Sequence, residues 1–382
     1  MCNKEFDEIR PYHDSELPQV YEELLSDDNF KKVISAIMPD IPFELVAQKM
    51  RACKTKLDFQ KAFCYGFIKD ITKKQSTGVS LDISELSDKE KAYTYVSNHR
   101  DIILDSGLLS VYLVDKGLTT VEIAIGDNLL IYPWIKKLVR INKSFIVQRG
   151  ISMRQILESS TRLSRYMHHT IADKGQSIWI AQREGRAKDS NDRTQESILK
   201  MFAMGGEGSI KERLKQLNIS PMTISYEYDP CDFLKVKEFI LKNEDREYKK
   251  TQMDDLINMQ TGLFGYKGEV NIKLAECINN FIDTIDDNTS KQDLYRIIAE
   301  KIDKDIHRNY VIYKGNYIAY DMLNGKQEFA DKYTNEDVSK FKDYMRKQLG
   351  KIDVKINNTE FAEKHFLLMY ANPLKNHLES KL

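Results

Sequence analysis

The chain of 382 residues has few cysteines, no long apolar run and no excess of charge of either sign. Its five cysteines include no C-x-x-C pair, a pattern that argues for reduced thiols and against a disulfide framework or a zinc site. No stretch approaches the roughly 20 apolar residues that a membrane-spanning helix needs. Basic and acidic residues number 58 each, so no overall field attracts nucleic acid. We therefore expect neither a structural metal nor a nucleic-acid partner.

The amino-terminal segment, residues 1–16, also lacks the apolar stretch of a secretory signal peptide. We expect a cytoplasmic chain that is soluble or lies on a membrane surface. Apolar residues make up 41% of the sequence, which is enough to bury a sizeable core. The length suits one large domain with an accessory region, or two domains.

What is present is a change of pattern along the chain. Residues 1–90 show apolar residues mostly at helical spacing, residues 91–290 alternate short apolar strands with helices, and residues 291–382 return to helix. The alternation indicates an α/β fold with a largely parallel sheet flanked by helices. This α/β middle region lies between an N-terminal helical region and a helical C-terminal extension.

The same patterns predict individual elements. Strands are predicted at 92–97, 120–125, 144–148, 176–181, 221–227 and 268–274. Residues 72–90, which are rich in charge, are predicted to form a connection. Residues 310–322 are predicted to form a β-hairpin with its turn at Gly315-Asn316.

One segment concentrates chemically active side chains: Asn98-His99-Arg100-Asp101-Ile102-Ile103-Leu104-Asp105. It joins a predicted buried strand to a predicted helix, and functional groups gather at the carboxyl ends of strands in such sheets. A carboxylate beside a histidine holds it in one tautomer and makes it a better base. His99 is the candidate base, with Asp105 or Asp101 as its partner. Arg100 is a candidate for substrate binding.

Two later segments bring charged side chains to strand ends. Arg149 enters a turn directly after an apolar strand, and its planar fork suits two oxygens of a phosphate or carboxylate. The strand Ser177–Ala181 opens into a charged turn, where Gly185 permits backbone geometry that other residues resist. The candidates for substrate binding in this turn are Glu184, Gly185, Arg186 and Lys188. The chain contains no G-x-x-x-x-G-K-[ST] nucleotide loop.

Taken in order, four segments resemble the glycerophospholipid acyltransferase superfamily, which includes glycerol-3-phosphate and lysophosphatidate acyltransferases. The family pattern N-H-x-x-x-x-D is similar to Asn98–Asp105, and F-[FI]-[IV]-x-R is similar to Phe145–Arg149. The pattern E-G-x-R-[ST]-[RK] is similar to Glu184–Lys188, and the family's proline-led apolar strand is similar to Pro221–Glu227. The resemblance covers about residues 91–280.

The chain departs from the family pattern in two of these segments. The usual spacing from the histidine would put the aspartate at Leu104, whereas Asp105 is one residue later. In the third segment Arg186 directly follows the glycine, and no serine or threonine comes next. The first departure predicts a turn with one inserted residue. The second leaves the identity of the acceptor open.

The resemblance implies an acyltransferase of phospholipid or glycerolipid biosynthesis. His99 would deprotonate a glycerol-3-phosphate or lysophospholipid-type hydroxyl, which attacks an acyl thioester of coenzyme A or acyl carrier protein. Arg149, Arg186 and Lys188 would bind the phosphate or another anionic group of the acceptor. The resemblance implies no metal and no cofactor besides the thioester co-substrate.

Amphiphilic substrates of this kind imply contact with a membrane surface. The expected location is therefore cytoplasmic and peripheral on the inner face of the cell membrane. Residues 131–140 combine Tyr132 and Trp134 with three basic residues, a pattern typical either of an interfacial segment or of an ordinary packed helix.

Two other functions remain open at this point. One is an N-acyltransferase that makes amino-acid-derived lipids, in which the arginines hold a carboxylate. The other is a non-catalytic lipid-binding homologue, for which the displaced Asp105 is the motive. A phosphate-ester hydrolase lacks support, because the chain has no G-x-S-x-G elbow and no recognisable set of metal-binding carboxylates.

Overall fold

The computed structural model describes residues 4–150 and 152–382, and seven strands lie in these ranges. They are β1 (Gly78–Asp82), β2 (Thr94–Ser97), β3 (Glu122–Gly126), β4 (Ser144–Val147), β5 (Ile178–Ala181), β6 (Ile219–Tyr226) and β7 (Glu269–Leu274). They form one sheet in the order β1-β7-β6-β2-β5-β3-β4. All neighbouring strands run parallel except β6 and β7, so the carboxyl ends of β2 to β6 meet at one edge.

Both faces of this sheet are covered, which explains why its strands read as nearly continuous apolar runs. Successive side chains of a strand point to opposite faces. Accordingly Tyr95 and Trp179 pack in one apolar cluster, and Val96, Ile178 and Ile180 pack in another. All five side chains are buried.

The helices of the described residues surround the sheet. They are α1 (Leu17–Leu25), α2 (Asp28–Ile37), α3 (Phe43–Ala52), α4 (Lys56–Phe59), α5 (Gly66–Gln75), α6 (Leu104–Asp115), α7 (Pro133–Ile141), α8 (Met153–Ala172), α9 (Glu196–Phe202), α10 (Ile210–Gln216), α11 (Asp232–Glu244), α12 (Gln252–Phe264), α13 (Asn279–Thr284), α14 (Lys291–Arg308), α15 (Lys314–Asn324), α16 (Asn335–Leu349) and α17 (Thr359–Glu379). A π-helical segment, Gln60–Tyr65, joins α4 to α5. Helices α5 and α6 lie on one face of the sheet, and α8, α9 and α14 lie on the other.

The two ends of the chain add further apolar clusters. Helices α1 to α3 pack against α7, where the rings of Phe30 and Trp134 lie 5.9 Å apart. Trp134 is thus part of a packed helix, while Tyr132 beside it is 49% exposed. Helices α15 to α17 form a core of their own with Val236 and Ile240 of α11.

The predicted α/β class with a largely parallel sheet is confirmed. All six predicted strands are present, and each end lies within two residues of the prediction. A seventh strand, β1, lies inside residues 72–90, which were predicted to be only a connection. It is a short edge strand beside β7, and Leu81 is its one fully buried apolar side chain, so its sequence carries a weak signal.

The β-hairpin predicted at residues 310–322 is wrong, because α15 occupies most of this segment. The side chain of Asn316 accepts a hydrogen bond of 2.7 Å from the backbone N–H of Tyr313 and so starts a helix where a turn was expected. Ile318 and Ala319 are then buried in the core that α15 shares with α17.

The sequence predicted that Pro221 would be the first residue of its strand, but it is the third residue of β6. The antiparallel ladder with β7 begins only at Met222, so the missing N–H of the proline falls beyond the end of β7. The carbonyl of Pro221 accepts a hydrogen bond of 2.8 Å from Ala275 on the same side.

None of the described helices combines the length and the apolar character needed to cross a bilayer. The division of the chain at residues 90 and 290 stays a prediction.

Candidate functional site

The His99 turn lies at the carboxyl edge of the sheet, between β2 and α6. Asn98 anchors it by two hydrogen bonds to β6. Its side chain donates to the carbonyl of Ile224 at 2.9 Å and accepts from the N–H of the same residue at 2.8 Å. Asn98 is fully buried, so the amide continues the sheet ladder beyond the last residue of β2. The following residue, His99, therefore has a fixed starting position.

His99 and Asp105 form one of the two histidine–aspartate pairs that the sequence left open. His99 Nδ1 lies 2.8 Å from Asp105 Oδ2, and the histidine side chain is 14% exposed while the aspartate is fully buried. The same oxygen accepts the backbone N–H groups of Arg100 at 2.6 Å and Asp101 at 3.1 Å. The other oxygen accepts the hydroxyl of Tyr226 at 3.2 Å. These bonds hold a buried carboxylate at the Nδ1 edge of the imidazole and leave Nε2 for a substrate.

Asp101, the alternative partner, has a different position. Its Oδ1 accepts the backbone N–H groups of Ile103 at 2.8 Å and Leu104 at 2.7 Å, as a cap at the start of α6. Burial, and then the charge of Asp105, raise the pKa of Asp101, while these backbone hydrogen bonds act in the opposite direction. The extra residue between His99 and Asp105 lies in the turn that Asp101 caps, and α6 begins after this turn, at Leu104.

Arg100, predicted to bind substrate, is instead engaged inside the protein. Its guanidinium donates to both carboxylate oxygens of Asp192, at 2.9 and 2.6 Å, and both side chains are buried. Burial opposes the charge of Arg100, but the carboxylate of Asp192 outweighs it and raises the arginine pKa. The structure therefore gives Arg100 a structural position that connects the His99 turn to the loop containing Asp192.

Arg186 lies close to the His99 turn and under helix α12. Its Nη2 donates to Asn258 of α12 at 2.8 Å, and its charge acts to lower the pKa of Asp101. Within the described part of the chain, the buried Nη1 of Arg186 has no hydrogen-bond partner. Burying a guanidinium nitrogen without a hydrogen-bond partner costs free energy, unless a bound anion accepts its hydrogen bond.

Helix α12 covers this edge of the sheet. Besides Asn258, it presents Gly262 to Asp101 so closely that a Cβ at this position would collide with the aspartate carboxylate. Met253, Ile257 and Phe264 of the same helix are exposed. The helix thus encloses the Arg186 side of the candidate site and leaves apolar side chains on the surface of the protein.

Gly185 and Lys188 flank Arg186 in the same turn. Gly185 has a φ of +67°, a left-handed conformation that favours glycine, as the sequence analysis expected. Lys188 forms an ion pair of 2.8 Å with Glu238 of α11. Burial, and then the positive charge of Arg186, lower the pKa of Lys188 to about 8.

Arg149 and Glu184 form the outer part of the candidate site. Arg149 Nη1 donates to Glu184 Oε1 at 3.1 Å, and its backbone N–H donates to Asp127 at 3.1 Å. Strand β4, which precedes Arg149, lies three inter-strand spacings from β2, about 14 Å. The structure thus connects Arg186 through α12 to the His99 turn and pairs Arg149 with Glu184 in the outer part of the candidate site.

An apolar cavity lies beside α6, on the face of the sheet to which the side chains of Trp179 and Ile123 point. The rings of His99 and Trp179 meet edge to face with centroids 5.5 Å apart, and Trp179 pairs in register with Ile123. Ile123 lines a cavity of about 370 Å³, part of it open to solvent, between α6 and the segment from α4 to α5. Gly107 and Ser110 line its α6 side, so the cavity begins less than one turn from Asp105.

Sequence reasoning missed several residues of this region. Tyr226 lies within the fourth motif, but nothing in the motif shows that its hydroxyl would reach Asp105. Trp179 was read only as a strand residue. Asp192 and Asn258 lie outside the four motifs, and their partners are 92 and 72 residues away along the chain.

Comparisons with known proteins add a likeness in structure. No model of a protein family matches the chain, and no curated protein sequence matches it. Among solved structures, the chain is similar to the 1-acyl-sn-glycerophosphate (LPA) acyltransferase PlsC from Thermotoga maritima. The TM-score is 0.39 with 12% identity, over 76% of this chain and 95% of that chain. A function for this chain therefore has to be argued from the geometry of its site.

Proposed function

We propose that this protein transfers an acyl group from a thioester to a hydroxyl, with His99 as the general base. The observation that carries the proposal is the hydrogen bond of 2.8 Å between His99 and the fully buried Asp105. The carboxylate fixes the tautomer with the proton on Nδ1 and stabilises the imidazolium once it forms. The short contact across the extra residue favours a catalytic protein over a non-catalytic homologue.

The proposed reaction needs no covalent acyl-enzyme. The acceptor O–H gives its proton to His99 Nε2 while its oxygen attacks the thioester carbonyl carbon. The resulting tetrahedral intermediate collapses, the C–S bond breaks, and the imidazolium returns the proton to the departing thiolate. The products are an ester and a free thiol of coenzyme A or acyl carrier protein.

The acceptor is proposed to carry a phosphate or another anionic group. The free Nη1 of buried Arg186 supports this, since a phosphate oxygen would complete its hydrogen bonding. Lys188 adds positive charge in the same turn. We place Gly185 and Glu184 in this acceptor-binding turn, and Arg149 on its rim beside Glu184.

The acyl chain is proposed to occupy the cavity beside α6. Apolar side chains dominate its lining, and the line from Ile123 through Trp179 to His99 connects it to the base. From Gly107 to Val114 the cavity follows α6 for about 10 Å. In this proposal the thioester carbonyl lies at the end of the cavity near Gly107, on the side of Trp179 and His99.

Membrane contact belongs to the same proposal. Acyl thioesters and acylated acceptors are amphiphilic, and exposed apolar side chains surround the carboxyl edge of the sheet. These side chains are Tyr132, Ile156, Leu157, Met253 and Ile257. We propose a peripheral protein on the inner face of the cell membrane that uses no metal or further cofactor.

A panel of acceptors tests the reaction directly. Labelled acyl thioester is offered with glycerol 3-phosphate, lysophosphatidate or an amino acid, and lipid products are separated by mass. Esterified phosphate acceptors are expected. A product from amino acids alone would replace the proposal by amide formation, and the absence of any acylated product would contradict acyl transfer.

A matched pair of variants tests the partner of the base. Asp105→Asn puts an amide where His99 needs an anionic acceptor, so the rate of transfer should fall by about 10³- to 10⁴-fold. Asp101→Asn keeps an oxygen for the helix cap and should retain activity within a few fold. Initial rates of labelled-ester formation measure both variants. Equal losses in the two variants would contradict the assignment of Asp105.

A further inference from the structure

The loop that carries the acceptor-binding residues is closed on itself at its base. The N–H of Gln195 donates to the carbonyl of Gln182 at 2.9 Å, and the Gln195 side chain accepts the N–H of Glu184 at 2.7 Å. Residues 183–194 therefore leave β5 and return to the same place, a compact loop of the kind that its own contacts hold together. Glu184 to Lys188 lie on the outgoing limb of this loop, and residues 189–194 form the returning limb.

The returning limb is bound to helix α14. Asp303 of α14 accepts the N–H of Thr194 at 2.8 Å and its hydroxyl at 2.6 Å. His307 of α14 donates from Nε2 to the carbonyl of Asp192 at 2.6 Å. The Asp192 carboxylate also accepts the hydroxyl of Tyr310, just beyond α14. All of these partners on or next to α14 are buried.

Helix α17 binds the same limb from its other side. Asn372 donates to the carbonyl of Asp189 at 2.7 Å. Asn376 accepts from Arg193 at 3.2 Å and donates to Asn191 at 3.4 Å. Helices α14 and α17 thus both form hydrogen bonds with the returning limb, which has no regular secondary structure of its own.

Asp192 extends this arrangement to the catalytic turn. Its carboxylate accepts hydrogen bonds from both terminal guanidinium nitrogens of Arg100, the residue that directly follows His99. The returning limb is therefore fixed both to the His99 turn and to the C-terminal helices. Since Arg186 belongs to the same closed loop, its distance from His99 depends on these contacts.

We propose that helices α14 and α17 position the acceptor-binding loop relative to His99, with Asp303 as a positioning residue for acceptor binding. The inference rests on the proposed function and assigns a role to the C-terminal extension, for which the sequence predicted only helices. Loosening these contacts should weaken binding of the anionic acceptor. Binding of the acyl thioester should stay unchanged, because the proposed acyl cavity lies on the other face of the sheet, beside α6.

The test compares two buried aspartates of α14. Asp303→Ala removes the acceptor of two hydrogen bonds from Thr194, whereas Asp305→Ala removes an ion pair with Lys301 of the same helix. In Asp303→Ala we expect the KM for the anionic acceptor to rise about tenfold. The KM for the thioester and the kcat at saturating acceptor should stay within about twofold. Amide hydrogen exchange of residues 183–195 should become about tenfold faster.

Asp305→Ala should change neither the acceptor KM nor exchange in the loop. Asn372→Ala is a milder change, which removes one hydrogen bond from α17 to the loop. It should raise the acceptor KM and speed loop exchange, as Asp303→Ala does, and it replaces Asp303→Ala if that variant does not fold. Unchanged loop exchange, or equal rises of both KM values, would overturn the positioning role.

The outcome is separable from the acyl-transfer proposal. If the wild type acylates no acceptor, calorimetric binding of glycerol 3-phosphate and of inorganic phosphate replaces the KM. Weaker phosphate binding with faster loop exchange in Asp303→Ala would then support the positioning role alone. Wild-type affinity with wild-type exchange would refute it.

Discussion

Lys188 shows how the surroundings of one residue convert an ordinary charge into a pH-dependent one. It lies in the turn of Arg186, and burial together with that arginine brings its pKa to about 8. Below this pH the lysine is charged and adds to the field that attracts an anion. Above it the lysine loses its proton, and the ion pair with Glu238 is lost with it.

The acceptor KM should therefore rise as the pH increases through about 8. We expect a two- to fivefold rise between about pH 7 and 9, the size of one partly screened charge. Lys188→Met keeps the length of the side chain and removes the charge, so its acceptor KM should be higher at pH 7 and nearly flat. Steady-state kinetics at fixed saturating thioester measure this. An equally steep rise in Lys188→Met would assign the titration to another group.

At the scale of single elements, helix α6 connects the two halves of the proposed site. Its first turn contains Asp105, and its next turns line the apolar cavity through Gly107 and Ser110. The hydroxyl of Ser110 is buried and has no hydrogen-bond partner among the described residues. Small side chains line the cavity on this face of α6, and at Gly107 an added Cβ would already meet Ile68 of α5 at 2.9 Å.

Filling this space should change the selectivity for acyl chains. Ser110→Leu puts an apolar side chain into the cavity, so the longest accepted acyl chain should become shorter while short-chain thioesters react at nearly the wild-type rate. The ratio of kcat/KM between long and short thioesters should fall about tenfold or more. A series of thioesters of increasing length measures this ratio. A ratio equal to that of the wild type would place the acyl chain elsewhere.

For the molecule as a whole, local patterns predicted the layers of the fold and a carboxylate partner for His99, either Asp105 or Asp101. Strand alternation and a six-residue separation are properties of neighbouring residues, which the sequence displays directly. The contacts between Arg186 and Asn258 and between Tyr226 and Asp105 join residues 72 and 121 positions apart. Such contacts depend on how helices pack over the sheet, and no local pattern encodes them.

The same reason explains the errors at element scale. The edge strand β1 has few buried side chains, so neither its presence nor its pairing with β7 was visible. Residues 314–324 form a helix because Ile318 and Ala319 find a partner in α17, more than 40 residues further along the chain. The local sequence around Arg100 also could not show that its charge is neutralised by Asp192, 92 residues further along the chain.

The central claim is that His99 removes a proton from the acceptor, and replacing its side chain tests this most directly. Purified wild-type protein and His99→Ala are compared for transfer of a labelled acyl group to the acceptor that the panel identifies, with thermal unfolding as the check on folding. The account predicts at least about a 100-fold loss of turnover with an unfolding temperature close to that of the wild type, since the imidazole is partly exposed. A folded His99→Ala protein that forms product at the wild-type rate would contradict it.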